Sequence, residues 1–259
     1  MIYLVTNQQS MFNSVGYSLA SIEESLEYLN TLDIIGFDTE TMGMDPYNCQ
    51  LLSMQLGDND KQYVIDCTTV DPSEYKEILE KKELIMHNAK FDLRFLYYQG
   101  IMPCKVYDSF LMERVLYTGI DTVRKSLDAV TYKYCKIELD KTVRGHIHRE
   151  GLSARVIKYA ADDVKYLHEI RRKQIVALEE KNLKRTASLD NEFVKVLAYV
   201  EYCGFYMSPL AWQKKCDEDL KDLAAVTRKL ICLFLITQKP ISILLIVNLI
   251  CSLMELNAE

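Results

Sequence analysis

This sequence has no Cys-x-x-Cys pair, no excess of positive charge and no apolar run that meets the length of a membrane span. Its eight cysteines are scattered and none has zinc-site spacing, which excludes a zinc ribbon or finger and points to a reduced compartment. Lys and Arg total 31 against 37 Asp and Glu, a net charge of −6 that excludes broad electrostatic adhesion to nucleic acid; any such contact must be local. Residues 1–9 show neither a basic flank nor a secretory apolar core, so the expected location is cytoplasmic, including that of a viral protein acting in a host cytoplasm. The apolar fraction of 49% over 259 residues is ample for a globular core.

What is present starts with Ile34-Ile35-Gly36-Phe37-Asp38-Thr39-Glu40-Thr41, an apolar run ending in two carboxylates one residue apart. On an extended chain, residues i and i+2 share a face, so Asp38 and Glu40 project together. Their repulsion is relieved by a shared divalent cation, for which hard oxygen ligands favour magnesium or manganese. The plainer alternative is a strand running into an acidic turn.

Two later segments complete a pattern. His87-Asn88-Ala89-Lys90-Phe91-Asp92 follows a short apolar run, and Tyr159-Ala160-Ala161-Asp162-Asp163 lies on a helical stretch. In order and spacing these segments resemble the three exonuclease motifs of the DEDD superfamily of 3′ to 5′ exonucleases, in its tyrosine-bearing subgroup. The proofreading domain of family A DNA polymerases is the nearest kind. The resemblance implies a ribonuclease H-like α/β fold with a mixed five-stranded sheet flanked by helices and a C-terminal helical extension.

It further implies that Asp38, Glu40 and Asp163 hold one cation and that Asp38 bridges to a second, whose shell Asp92 completes. Two Mg²⁺ or Mn²⁺ ions about 4 Å apart would serve phosphodiester hydrolysis. Tyr159 would orient the attacking water, since a phenol with an ordinary pKa near ~10 is a poor base at neutral pH. Thr39, Met44, Asn88 and Phe91 fall at substrate-contacting positions, Met44 as a wedge against the terminal base. Core packing is an equal alternative for Phe91. Asp162 competes with Asp163 by spacing, and only the resemblance to Tyr-x-x-x-Asp selects Asp163.

Other elements read locally. Ser21 with Glu24 forms a capping box for a helix presenting Ile22, Leu26 and Leu29, and Gly57-Asp58-Asn59-Asp60 has hairpin chemistry. Asp108 suits a helix cap more than a ligand. A long helix is expected from Ser153 past Leu178. Lys141, Arg144 and Arg149 form a basic segment that could meet phosphate, with solvated loop charge as the default, and His146 and His148 lack the partners of a metal site.

Residues 1–187 are thus expected to form the exonuclease domain. Residues 188–229 resemble the start of a family A polymerase domain, with Ser208-Pro209 opening a helix to about Lys229, and 230–259 form an apolar tail. Its longest run falls short of the ~20 residues a span needs, so no membrane partner is expected. The tail has the character of a truncated or shifted reading frame, an interface hairpin being another option. There is no room for palm and fingers, and no polymerase activity is expected. The function implied is removal of nucleotides from single-stranded or frayed DNA 3′ ends, with a separate polymerase chain as a further partner to consider. The alternatives are a ribonuclease D-like RNA exonuclease and a non-catalytic replication-docking module.

Overall fold

A computed structural model describes residues 1–8, 16–140, 143 and 151–237. The basic segment with Lys141, Arg144, Arg149, His146 and His148 lies outside the described residues, as does the tail from 238 onward. The elements are β1 (Ile2–Val5), β2 (Ser18–Ala20), α1 (Ile22–Asn30), β3 (Ile34–Thr41), β4 (Leu51–Gly57), β5 (Gln62–Asp66), α2 (Lys76–Lys81), β6 (Glu83–Met86), α3 (Ala89–Tyr98), β7 (Lys105–Asp108), α4 (Ser109–Leu116), α5 (Leu127–Cys135), α6 (Ala154–Lys165), α7 (Leu167–Glu180), α8 (Lys184–Cys203) and α9 (Pro209–Thr237).

The strands form one mixed sheet in the order β2-β1-β5-β4-β3-β6-β7. Strands β3, β4 and β5 make the expected antiparallel meander, while β6 and β7 add in parallel beside β3, and β1 and β2 beside β5. The mixed α/β class is therefore as expected, but the sheet has seven strands and not five. Strand β1 falls on the apolar Ile2–Val5 stretch, which the sequence reads as a short strand, and pairs with β5; the three-residue β2 is too short to carry an alternation pattern.

Local chemistry explains the joints. Ser21 and Glu24 exchange both hydrogen bonds of a capping box. At the β4–β5 turn Asp58 Oδ1 accepts from the amides of Asp60 and Lys61, and Gly57 adopts φ +154° where a Cβ would lie 2.1 Å from the Lys61 carbonyl oxygen. The single long helix expected from Ser153 is broken at Tyr166 (φ −102°, ψ −2°). The break lets α6 stay against β3, β4 and β5 while α7 packs on α4 and α5.

The sheet separates two layers, and strand alternation assigns side chains to them. Leu84 and Met86 of β6 enter one cluster with Ile35, Phe37, Leu93 and Leu96, whereas Ile85 enters the opposite one with Val164 and Leu167. Gly36 lies between Ile35 and Phe37 and faces α6. A Cβ there would lie 2.9 Å from the Val164 carbonyl oxygen and 3.1 Å from that of Gly57, so the bare backbone lets helix and strand approach this closely.

The described residues divide into two units, one ending at Cys203 and a second beginning at Gly204. Helix α8, which runs through residue 187 to Cys203, belongs to the first: Asn191 Oδ1 accepts from the Asp108 amide, and Lys195 Nζ donates to the Cys104 carbonyl. In the second unit, α9 continues past Lys229 to Thr237, beyond the end expected from the change in composition. None of the helices among the described residues is long and apolar enough to cross a membrane.

Candidate active site

The central strand delivers its two carboxylates to one layer and its hydroxyls to the other. Asp38 and Glu40 share the α6 face with Gly36, and carboxylate oxygens of Asp38, Glu40 and Asp163 all lie within 4.8 Å of one another. Thr39 points oppositely, into the layer of α3, where its hydroxyl donates to Asp92 Oδ1 at 2.5 Å. Immediately after Glu40 the β3–β4 register slips: Glu40 opposes Ser53 but Thr41 opposes Leu51, leaving Leu52 as the extra residue of a bulge. The ladder is thus perturbed where the carboxylates project.

Asp92 reaches the site from the first turn of α3. That helix starts at Asn88, whose left-handed conformation (φ 71°, ψ 51°) is one asparagine tolerates better than most residues. The turn is fixed by the buried Asp108 carboxylate, which accepts from the amides of Asn88 and Ala89 and from those of Phe110 and Leu111. Asp108 is therefore a cap shared by α3 and α4, the structural role expected of it.

All nine residues singled out in the sequence (Asp38, Thr39, Glu40, Met44, Asn88, Phe91, Asp92, Tyr159 and Asp163) line one cavity of about 410 Å³. Met44 is exposed at its rim, and its carbonyl accepts from Arg94 Nη2 at 3.1 Å, which ties the rim loop to α3. Phe91 lines the cavity and also packs against the core and Phe95. The two adjacent aspartates on α6 differ: Asp163 lines this cavity and also borders a neighbouring one, whereas Asp162 lines only the neighbouring one, with Arg155 and Lys158. Sequence reasoning assigned no role to His87 and Phe110, which also line the cavity. Ser109 Oγ gives its hydrogen to the Met86 carbonyl, so the 2.9 Å contact with His87 Nδ1 has the imidazole as donor. Its place immediately before Asn88 was the available signal.

The electrostatics are those of crowded, like-charged groups. Burial, followed by the charges of Asp92, Asp163 and Glu40, holds the Asp38 carboxyl well above the usual carboxylate range. Burial pushes Asp92 up to about 7, against the lowering effect of the Thr39 hydroxyl. The Tyr159 hydroxyl is raised by burial and then by Asp163, Glu40 and Asp38, and it hydrogen-bonds Asp163. A trio of hard oxygen donors that repel one another at this range suits a divalent cation.

The mixed sheet flanked by helices is shared with solved nucleases of ribonuclease H-like fold. Brucella melitensis NrnC with bound Mg²⁺ superposes with a TM-score of 0.61 at 21% identity, covering 80% of this chain and 96% of that one. Escherichia coli RNase D, an exoribonuclease involved in structured RNA processing, gives 0.62 at 22% identity over 75% of this chain and 50% of that one. The family model for the 3′-5′ exonuclease matches residues 17–176, and the chain belongs to that family. DNA polymerase I of Aquifex aeolicus (strain VF5) is 28% identical over 170 residues; the match spans 65% of this chain but only 28% of that polymerase. The chain is accordingly a 3′-5′ exonuclease, a phosphodiester hydrolase.

Proposed function

We propose that this chain removes nucleotides from the 3′ ends of single-stranded or frayed DNA, using two divalent cations. The observation that carries the reading is the convergence of the Asp38, Glu40 and Asp163 carboxylates within 4.8 Å, with Asp92 and Tyr159 in the same cavity. Asp38, Glu40 and Asp163 would hold one Mg²⁺ or Mn²⁺, and Asp38 with Asp92 a second. When bound, such ions neutralise developing phosphoryl charge and make a water more acidic.

The chain's own residues do the rest. The Tyr159 hydroxyl, anchored on Asp163 and with its pKa raised, keeps its proton at neutral pH and positions the attacking water without acting as its base. Glu40 assists that orientation from the same face of the cavity. Met44 at the rim presents an apolar side chain to the terminal base, and Asn88 and Phe91 border the space for the last nucleotide. An unpaired end enters more readily than a duplex because no base pair has to be broken.

DNA is favoured over RNA by the sequence likeness to a DNA polymerase and by the polymerase-like segment after residue 187. Residues 1–187 are proposed to carry the nuclease function and 188–229 to be a polymerase-type connector, with a separate polymerase chain as a partner. The RNA reading is supported by the fold likeness to RNase D and to NrnC, the latter also solved bound to pGG. The deciding experiment incubates 3′- and 5′-labelled DNA and RNA strands of matched sequence with Mg²⁺, Mn²⁺ or chelator. Metal-dependent shortening of DNA from its 3′ end supports the proposal, and a preference for RNA overturns its substrate.

A further inference from the structure

The rim loop that carries Met44 is held from outside the cavity. Within itself the loop is a compact turn: the Met42 amide donates to the Gln50 carbonyl, the Asn48 and Cys49 amides donate to the Asp45 carbonyl, and the Thr41 hydroxyl donates to the Gly43 carbonyl. Such a turn moves as one piece, so whatever fixes Tyr47 also places Met44. The Tyr47 ring lies flat against Tyr202 of α8, with centroids 5.4 Å apart and planes 6° from parallel, and makes a perpendicular contact with Tyr98 at the end of α3. Its hydroxyl donates to the Tyr202 carbonyl at 2.7 Å.

A second attachment runs through α3. Arg94 donates from Nη2 to the Met44 carbonyl, and its Nη1 lies 3.8 Å from Glu201 Oε2 of α8. The other Glu201 oxygen accepts from Lys90 Nζ at 2.6 Å. Lys90 and Arg94 stand four residues apart on one helix face, where like charges repel, and Glu201 between them relieves that repulsion. Tyr97 ties this end of α8 to α3, meeting the Tyr199 and Tyr202 rings at steep angles and donating to the Lys195 carbonyl. All these α8 residues follow residue 187, in the stretch that resembles a polymerase connector.

We infer that Glu201 and Tyr202 are positioning residues for the exonuclease reaction: through Arg94 and Tyr47 they set where Met44 meets the terminal base. The inference rests on the reading of Met44 as the side chain presented to that base, and adds to it that the end of α8 is needed for the site to work. Neither residue lines the cavity, so each acts only through the loop. Met44 itself is 71% exposed, which leaves its placement to these two attachments and not to packing.

The test compares variants of the full chain on single-stranded DNA carrying a 5′ label, in Mn²⁺. Tyr47→Ala and Glu201→Ala should each lower kcat/KM for release of the 3′ nucleotide by roughly 10- to 100-fold, the scale of a misplacement of up to ~1 Å. The Mn²⁺ concentration for half-maximal activity should not change, because the carboxylate trio is untouched. Tyr47→Phe keeps the stacked ring and should restore most of the rate. In a Met44→Ala chain the same two alanine substitutions should cost less than about threefold further, since their route to the site is already gone. Melting curves check the fold, and Glu201→Gln, which keeps the size and removes the charge, repeats the test should an alanine variant fold poorly. Parent-like rates in the Tyr47 and Glu201 variants, with Met44→Ala impaired, overturn the inference and leave the Met44 reading standing. Equal losses with and without Met44 overturn it too, because the residues then act on the fold at large. A Met44→Ala chain as active as the parent removes the reading on which the inference rests, and the inference with it.

Discussion

Thr39 Oγ1 donates to Asp92 Oδ1 at 2.5 Å, which joins the central strand to α3 across the layer opposite the carboxylate trio. This hydroxyl opposes the rise in the Asp92 pKa that burial causes. Thr39→Val keeps the shape and removes the donor, so Asp92 should hold its proton to higher pH. The cation concentration for half-maximal activity at pH 7 should rise by about 10- to 100-fold, the usual penalty for losing a group that orients a ligand. Raising the pH to about 8.5 should recover part of the loss. An unchanged cation requirement would show that Asp92 needs no such support.

Asp162 and Asp163 provide an internal control. Asp163→Asn should abolish turnover and Asp162→Asn should alter it by less than about threefold, because only Asp163 belongs to the trio. Circular dichroism of both variants verifies the fold, and a reversed ranking would reassign the acid.

Tyr159→Phe retains the ring and removes the hydroxyl that bonds Asp163. The rate at saturating metal should fall by roughly 10- to 1,000-fold, the range for one positioning or acid–base interaction, with metal affinity little changed. Turnover equal to the parent's would reduce the residue to a packing role.

The raised pKa values of Asp38 and Asp92 make the metal-free protein's stability depend on pH in a definite direction. Folded values above the unfolded reference of about 3.9 mean that the native state keeps protons the unfolded chain has released. The stability these protonated groups confer is complete below that reference. It declines as pH rises through the folded values, about 7 for Asp92 and higher than normal for Asp38. In chelator the melting temperature should therefore drop between pH 5.5 and 8, and the gain on adding Mn²⁺ should be larger at pH 8. A larger gain at pH 5.5 would contradict the electrostatic account.

Gly36→Ala places a methyl group 2.9 Å from the Val164 carbonyl oxygen, a backbone atom that cannot yield by a rotamer change. Helix α6 must move off the strand, carrying Asp163 with it. We expect destabilisation of about 1–3 kcal/mol, typical of overpacking, with a weakened cation requirement curve. Denaturant unfolding and a manganese titration measure the two effects. Parent-like values in both would mean the contact is easily relaxed.

The legible parts of the molecule were those written in adjacent residues. The apolar run into Asp38 and Glu40, the Ser21–Glu24 box, the Asp108 cap and the spacing from Tyr159 to Asp163 each combine local propensity with side-chain chemistry, and each has its expected structure. What was not legible depends on distant partners. Strand β2 exists only because β1 offers it an edge, and the break at Tyr166 serves two different packing surfaces. Helix α8 joins the first unit through Asn191 and Lys195, residues that by themselves resemble any solvated helix face. Spacing alone could not choose between Asp162 and Asp163; of the two, only Asp163 lines the cavity shared with Asp38 and Glu40.

Strands β4 to β7 and helices α2 to α5 lie between Asp38 and the helix that carries Asp163, a separation that bears on the order in which the protein is expected to fold. Contacts of such long sequence separation form late, after the local turns and helices are in place. Repulsion among the carboxylates is then absent from the early stages and develops at the last docking step, when α6 settles on Gly36. A cation bound by the trio stabilises the finished structure more than the barrier leading to it. Its kinetic signature should be slower unfolding with a nearly unchanged folding rate, so that the metal acts as a latch on the closed sheet and not as a nucleus for its assembly.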